Sequence, residues 1–214
     1  DRGGSPDVYV INSDGLVVLA EDVGTPDERP IIYREIDPET GGFITDFVIG
    51  DVNPDFSFGL ANNLRWGGVG LYLLIDGVQG GGIYNFTRQW MYQDSRHGDT
   101  DQAGKPVADR KATAYYDVGL YNGQVPLDWF VEDGTYARLR ELSLSYSFSD
   151  DMLSRFGLRQ LSNAKIALVG RNLLTWTDYT GFDPEATSGD LNFRIDGFRY
   201  PTFRQITAQI QLGF

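Results

Sequence analysis

Apolar and polar residues alternate strictly along the last part of this chain. In residues 202–214 the apolar positions are Ile206, Ala208, Ile210, Leu212 and Phe214. The positions between them are Gln205, Thr207, Gln209 and Gln211. A period of two is typical of a β-strand whose two faces meet different surroundings. The pattern therefore predicts a final strand that ends on an aromatic residue.

Two strands upstream repeat this alternation. Residues 142–148 place Leu142, Leu144, Tyr146 and Phe148 on one face and Ser143, Ser145 and Ser147 on the other. Residues 165–176 place Ile166, Leu168, Leu174 and Trp176 on one face and Lys165, Arg171 and Thr175 on the other. In both segments one face is apolar and the opposite face is hydroxylated or charged, which predicts two more strands of the same two-faced kind.

A hairpin is predicted closer to the middle of the chain. Residues 55–66 alternate between large apolar and small or polar side chains, and Gly67 and Gly68 then supply a tight turn. Residues 69–79 return, with Val69, Leu71, Leu73 and Ile75 outward and Tyr72, Leu74 and Asp76 inward. We therefore assign residues 54–79 to a strand hairpin and residues 135–214 to the last three strands.

The remaining segments show no sustained period. Residues 1–53 are rich in Gly, Pro and Asp and predict mostly loop with one or two small hairpins, one of which turns at residues 13–15. Residues 80–134 predict a second loop region, in which residues 97–126 are polar and charged. A helical turn is predicted at residues 150–156, with Asp150 and Asp151 as a helix cap rather than a catalytic carboxylate pair.

An apolar outer band, a polar inner face and aromatic strand ends are typical of a transmembrane β-barrel. The fold class predicted is therefore all-β, an antiparallel transmembrane β-barrel segment. About five spanning strands are present, fewer than the roughly eight that close the smallest barrels. We therefore expect the chain to be the C-terminal part of a longer polypeptide.

Loop lengths predict the orientation of this segment. Periplasmic turns of such barrels are short and extracellular loops are long. The turn at residues 67–68 is then periplasmic, as is the C-terminus, whereas residues 1–53, 80–134 and 177–199 are largely extracellular. Two aromatic girdles follow from this orientation: Trp66, Phe148 and Phe214 lie at the periplasmic interface, and Phe56, Trp176 and Tyr200 at the outer one.

Several motifs resemble those of one known family. Three segments resemble the C-terminal end of SusC/RagA-type TonB-linked outer-membrane transporters. They are D-G-T-Y-A-R-L-R-E-L-S-L-S-Y-S-F at residues 133–148, F-G-L at 156–158 and G-R-N-L-L-T-W-T-D-Y-T-G-F-D-P-E at 170–185. Upstream motifs of that family resemble I-G-D-V-N-P-D-F at 49–56 and G-G-G-I-Y-N at 80–85, in the same order. The resemblance covers roughly residues 41–214.

This resemblance implies a barrel of about 22 strands with a plugged lumen. It implies import of glycan- or peptide-type nutrients across the outer membrane, driven through the TonB complex and assisted by a SusD-like surface lipoprotein. The plug domain and the TonB-contacting segment are absent from this sequence. The resemblance also implies that Ile210, Leu212 and Phe214 act as a barrel assembly signal, because related barrels present an aromatic-ended final strand to the insertion machinery.

Two alternative functions stay open. A TonB-dependent siderophore or vitamin receptor would share the barrel but need no lipoprotein lid. A soluble β-sandwich carbohydrate-binding module belongs to a different class of protein, and it would show polar outer faces with its aromatic residues gathered on one platform. The two aromatic girdles predicted above disfavour the sandwich.

Composition and charge narrow the choice further. The net charge is −12, so the chain has no basic stripe with which to neutralise phosphates, and we expect no nucleic-acid partner. Cysteine is absent, which excludes disulfides and thiolate metal sites. No apolar run approaches the ~18 residues that a membrane helix requires. We expect localisation in the outer membrane of a Gram-negative cell, in contact with lipid.

Candidate chemistry is sparse, and we expect neither an enzyme nor a bound cofactor. The only histidine, His97, lies in a polar loop without triad partners, and one histidine cannot form a paired metal site. Asp99 and Asp101 lack the pattern of a calcium-binding loop. Two groups remain open to either a functional or a packing role. They are the aromatic residues Tyr84, Trp90, Tyr92, Trp129 and Phe130, which could stack on a substrate, and the inward charges Arg65, Asp76, Lys165 and Arg171.

Overall fold

The computed structural model describes residues 8–31, 36–44, 47–121, 127–190 and 193–214. The strands are β1 (Tyr9–Ile11), β2 (Val17–Leu19), β3 (Phe56–Trp66), β4 (Val69–Gln79), β5 (Gly82–Tyr84), β6 (Val131–Asp133), β7 (Tyr136–Ser147), β8 (Asn163–Thr177), β9 (Ser188–Asp190), β10 (Phe193–Ile195) and β11 (Gln205–Gly213). The α-helices are α1 (Phe86–Gln93) and α2 (Asp150–Arg155). A π-helix spans Tyr115–Tyr121, and 3-10 turns span Ala20–Asp22, Gly98–Thr100, Val107–Asp109 and Leu127–Phe130.

The chain divides into two units, which we call the sheet unit and the helical unit. The sheet unit comprises Asn53–Gly81, Asp133–Ala186 and Arg199–Phe214. The helical unit comprises Asp1–Val52, Gly82–Glu132 and Thr187–Phe198, of which the structure describes the residues given above. Chain segments from three parts of the sequence thus meet in each unit.

The sheet unit is built on one five-stranded antiparallel sheet in the order β11-β8-β7-β4-β3. β3 and β4 form the predicted hairpin, with Trp66 opposite Val69 next to the glycine turn. Gly67 closes this turn at φ 57°, a left-handed conformation that glycine adopts without steric cost. β8 and β11 pair from Arg171 and Gln205 down to Asn163 and Gly213. The predicted strands are therefore confirmed.

A β-bulge makes β7 longer than its alternation predicted. Leu74 of β4 faces Glu141, but the next residue, Ile75, faces Leu139, so Arg140 is an extra residue in β7. The bulge shifts the alternation by one position, and outward positions change from even to odd numbers. The upstream half, with Ala137 and Leu139 outward, therefore does not continue the period of residues 142–148.

Helix α2 forms in the connection between β7 and β8, as predicted. Its cap differs from the prediction, because the side chain of Ser149 accepts the hydrogen bond from the backbone N–H of Met152. Asp150 and Asp151 lie inside the first turn instead, where their charges favour the positive end of the helix dipole.

The helical unit encloses an aromatic core. The buried residues are Tyr92, Tyr115, Tyr116, Leu120 and Phe130, and partly buried Leu16, Tyr84, Tyr121 and Trp129 pack against them. Asn85 caps α1 by accepting a hydrogen bond from the N–H of Arg88. A small hairpin of β1 and β2 turns around Gly15, as predicted. Among the described residues of the region 80–134 there are thus helices that the sequence pattern did not predict.

Predicted segments that fall on residues 1–7, 32–35, 45–46, 122–126 and 191–192 lie outside the described residues. These include the start of the N-terminal loop and the end of the loop predicted at residues 97–126. The assignment of these loops to the extracellular side stays a prediction.

Candidate functional site

Cross-strand register divides the five-stranded sheet into an apolar face and a polar face. One row of the apolar face consists of Leu71, Leu144, Leu168 and Ala208, and the next consists of Val69, Tyr146, Ile166 and Ile210. The residues Leu144 and Leu168 are each 54% exposed, and Ile210 is 75% exposed. A soluble sandwich would cover such residues with a second sheet, so their exposure argues against that alternative.

Aromatic side chains mark both ends of the apolar face. Trp66 and Phe214 are largely exposed at the end that carries the glycine turn, where the N–H of Phe148 also bonds the carbonyl of Ala164. Trp176 lies at the other end, opposite Ala137, and Phe56 pairs with Gln79 there. Register thus groups these aromatic residues as predicted. Which end faces the periplasm stays a prediction.

The predicted assembly residues lie on the edge strand of the sheet. Ile210 pairs with Ile166 and Leu212 pairs with Ala164, both on the apolar face, and Phe214 directly follows the last residue of β11. β11 pairs with β8 on one side, and no other described strand pairs with its second edge. The three side chains are therefore accessible for a partner, and their role in assembly stays a prediction.

Five ionic side chains form a cluster on the polar face, which we call the Arg138 cluster. Its members are Asp76, Arg138, Arg140, Asp183 and Glu185. Arg138 is 2% exposed, and its guanidinium donates to Asp183, Glu185, Thr175 and Thr202. Every nitrogen of this buried cation thus has an acceptor, which offsets the cost of removing the charge from water.

Asp183 completes the buried half of the cluster. It accepts from Arg138 on one oxygen and from the N–H and hydroxyl of Thr202 on the other, at 2.9 and 2.7 Å. Burial raises the pKa of this carboxyl, but the hydrogen bonds from Thr202 and Arg138 outweigh it and leave the pKa below its usual range. Asp183 lies in the first part of the connection between β8 and β11, and Thr202 lies near its end. Arg138 therefore bonds both parts of this connection to the sheet.

Arg140 forms the exposed half of the cluster. Its guanidinium bonds Asp76 on one side, at 2.8 and 2.9 Å, and Glu185 on the other, at 2.9 and 3.0 Å. Its Nη1 also lies 3.4 Å from the side-chain oxygen of Asn172, a residue of β8 with φ 51°. Two irregular residues, the bulged Arg140 and the left-handed Asn172, thus meet at this point. Bulges often re-aim side chains in this way.

The bulge explains why both arginines face the same side. An unbroken alternation that includes Leu142 and Leu144 would place Arg138 and Arg140 on the apolar face. With the extra residue in β7, Arg138 and the inward Asp76 share the polar face instead. Sequence reasoning missed this cluster, although the predicted inward Asp76 is a member of it. The pair of arginines just before an apolar run was the available signal.

The other predicted inward charges do lie on the polar face. Arg171 pairs with Glu141 at 3.0 Å. Arg65 and Lys165 lie near the glycine turn, and neither forms an ion pair with the part of the chain that the structure describes. The polar face therefore has paired charges at one end and unpaired cations at the other.

The aromatic residues predicted as candidates for substrate stacking pack within the helical unit. Tyr92 and Phe130 are fully buried, with ring centroids 5.6 Å apart. Tyr84 lies edge-on to Phe130 at 6.3 Å, and Trp90 lies edge-on to Tyr121 at 5.4 Å. Arg88 lies over Trp129 at 5.3 Å. These contacts support the packing role for most of the group, and only Trp90 is substantially exposed.

His97 contacts residues of its own loop and of α1. Its ring lies edge-on to Tyr92, and its Nδ1 accepts from the N–H of Asp99 at 3.2 Å. The carboxylate of Asp99 accepts hydrogen bonds from Tyr92 and Arg88. In the described residues, no three potential metal ligands come together.

None of the helices in the described ranges is long and apolar enough to cross a membrane.

Comparison with known proteins identifies related receptors. No family model matches the chain. TonB-dependent receptor P3 of Formosa agariphila is 29% identical over 174 residues, which cover 78% of this chain and 17% of the receptor. TonB-dependent receptor P26 of the same organism is 28% identical over 180 residues, covering 78% of this chain and 18% of the receptor. The chain therefore spans less than a fifth of the length of these relatives.

Solved structures show the same fold. The RagAB peptide importer in its open-open state matches with a TM-score of 0.59 and 20% identity, over 96% of this chain and 22% of that chain. The RagAB peptide transporter matches with the same TM-score and 22% identity. The homologues of this chain are TonB-dependent receptors, and its fold is that of part of a RagA-like barrel. The predicted resemblance to the SusC/RagA type is thereby confirmed.

Proposed function

We propose that the whole protein is a TonB-dependent importer in the outer membrane, and that this chain supplies the C-terminal strands of its barrel. The observation that carries the proposal is the exposed apolar face of the five-stranded sheet. Transfer of a leucine-sized side chain from water to hydrocarbon is favourable by about 1.5–3 kcal/mol. A row such as Leu71, Leu144 and Leu168 therefore favours lipid on this side of the sheet.

The open edges of the sheet support a barrel that extends beyond this chain. β3 and β11 each pair on one side only with described strands. Unpaired backbone groups in hydrocarbon cost several kcal/mol each, so membrane strands require neighbours on both sides. The matched region is only 17–18% of each homologous receptor, which leaves ample sequence for those neighbours.

Orientation, partners and substrate class follow as parts of the same proposal. The C-terminus lies in the periplasm, since the glycine turn at residues 67–68 is short and the connections at the other end are long. A SusD-like surface lipoprotein closes the extracellular side, and the substrate is of glycan or peptide type. The structural similarity to the RagAB peptide importer supports this choice over a siderophore or vitamin receptor.

Uptake measurements in living cells test this function. The full-length protein is expressed as the only receptor of its kind, with or without an active TonB complex, and labelled oligosaccharide and oligopeptide pools are supplied. We expect accumulation that requires both the receptor and TonB. A surface lipoprotein should co-purify with the receptor in detergent.

Three outcomes would change the proposal. Equal accumulation without TonB would refute active import. Uptake of siderophores or vitamins, with no lipoprotein partner, would favour the alternative receptor. Recovery of the full-length protein in the soluble fraction would remove the outer-membrane assignment.

A further inference from the structure

A polar depression lies on the polar face of the sheet, next to the glycine turn. Its volume is about 280 Å³. Its lining residues include Gly70, Ser145 and the two cations Arg65 and Lys165. Four neighbouring strands, β3, β4, β7 and β8, thus contribute to one concave site within the sheet unit.

Gly70 leaves space for this site on the polar face. A Cβ added at Gly70 would lie 2.8 Å from the side-chain oxygen of Ser145. This distance is far below ordinary contact, so a larger residue at this position would displace the Ser145 hydroxyl or occupy part of the depression. The space beside Ser145 therefore depends on glycine at position 70.

The charge of the depression is opposite to that of the chain. The chain has a net charge of −12, yet two cations and no carboxylate line this site. At the other end of the same face, Arg138, Arg140 and Arg171 are each neutralised by a carboxylate. Within the described ranges Arg65 and Lys165 form no such pair, and both side chains are exposed. Their donors are therefore available to a ligand.

We infer that this depression binds the oxyanion of a solute, a carboxylate or a sulfate. Guanidinium and ammonium groups form short, charge-assisted hydrogen bonds with such oxygens. The hydroxyl of Ser145 is 3.4 Å from the carbonyl of Gly70, a weak contact that leaves it able to turn toward a ligand. The inference rests on the proposed function, because the polar face must line the lumen for a transported solute to reach it.

Binding is measured on the full-length protein purified in detergent, with inorganic sulfate as the probe. Sodium sulfate is titrated at constant ionic strength against sodium chloride, by calorimetry and by thermal unfolding. We expect wild type to bind sulfate and to unfold at a higher temperature in its presence. The double variant Arg65→Gln/Lys165→Gln should lose at least about tenfold in affinity, the change that follows from about 1.4 kcal/mol.

A matched control separates site binding from a general salt effect. The double variant Lys105→Gln/Arg110→Gln removes the same two charges from the helical unit and should bind sulfate like wild type. Lys165→Arg keeps the cation and should retain most of the affinity. Equal responses of the two double variants, or no response in wild type, would overturn the inference. Wild type would also show no response to sulfate if an acidic segment of the same polypeptide filled the depression.

The test is independent of transport. Sulfate binding to purified protein needs neither TonB nor a lipoprotein. Failure of uptake with intact sulfate binding would count against the proposed function alone, whereas intact uptake without sulfate binding would count against this site alone.

Discussion

The sheet unit and the helical unit treat large apolar side chains in opposite ways. In the sheet unit Ile210 and Leu168 point outward and stay exposed, whereas in the helical unit Tyr92 and Phe130 are completely buried. The helical unit therefore carries its own core. The sheet unit lacks one on its apolar side, which agrees with the proposed membrane location, where lipid would cover that side. The same residue types indicate different surroundings in the two units.

Replacing residues 97–126 by a short Gly/Ser turn should have the largest effect on stability, and this loss should be confined to the helical unit. The change removes Tyr115, Tyr116 and Leu120 from the aromatic core. The strand pairs of the sheet unit should persist, because loop length affects closure entropy only logarithmically. Heat-resistant barrel on a gel and hydrogen exchange of α1 amides would measure the two effects, and substrate uptake in the same cells should fall.

Loss of the heat-resistant barrel after this replacement would show that the two units fold as one. Unchanged uptake would mean that the segment is a spacer, and that the binding surface lies elsewhere in the protein.

Breaking the buried ion pair of the helical unit should have the next largest effect. Lys111 bonds Glu28, and both side chains are almost fully buried. Lys111→Met leaves Glu28 without its cation, which should cost about 3–5 kcal/mol. The double variant Glu28→Gln/Lys111→Met should cost much less. Hydrogen exchange across the π-helix would measure both variants, and equal losses would contradict the argument.

Acidic pH should reduce the destabilisation caused by Lys111→Met. Burial raises the pKa of Glu28, but hydrogen bonds from Lys111, Asn12 and the N–H of Gly24 outweigh it and lower the pKa overall. A lowered pKa in the folded state means that the pair stabilises above the unfolded pKa of about 4.3 and loses its contribution as pH falls further. The difference between wild type and Lys111→Met should therefore shrink in that range.

Arginine substitutions would test the two faces of the sheet. Leu144→Arg, Leu168→Arg or Ile210→Arg should each cost roughly 2–4 kcal/mol near the bilayer midplane. Ser145→Arg or Gln209→Arg, on the polar face, should cost much less. Unfolding of the full-length barrel in lipid vesicles would compare them. Equal costs on both faces would indicate that lipid does not cover the apolar face.

Deletion of Phe214 should have the smallest effect on the folded molecule. The residue follows β11 and is 88% exposed, so few contacts in this chain depend on it. We expect less assembled barrel in the outer membrane but unchanged transport per assembled molecule. Quantitative blots of membrane fractions beside uptake rates would show this. Normal amounts of barrel after the deletion would rule out an assembly role.

Alternation made most of the sheet predictable from sequence. Each strand has one face in an apolar environment and one in a polar environment. The apolar Ile206 and the polar Gln205 therefore indicate directly on which face each lies. The upstream half of β7 was not predictable in the same way, because the extra residue Arg140 shifts the period. The Arg138 cluster was missed for the same reason, and because Asp76 and Asp183 lie far from Arg138 in sequence.

The helical unit was harder to predict for a different physical reason. α1 is only eight residues long, too short to show a clear helical period, and its stability comes from packing rather than from propensity. Tyr115 and Tyr116 follow one another in sequence, yet both are buried in a π-helix, a conformation without a recognised sequence pattern. Aromatic residues in such a segment predict either packing or binding equally well.

The bulge at Arg140 changes the phase of the side-chain alternation within a single strand. Residues on either side of it obey the same alternation, but in opposite phase. Deleting this one residue would restore an unbroken alternation and leave Leu139 on the apolar face and Arg138 on the polar face, whereas closing the bulge with Arg140 retained would exchange the two. A chimeric barrel that exchanges strands with a related receptor should therefore be joined outside β7. A junction inside β7 can change which face half of the strand presents, even where the two sequences align well.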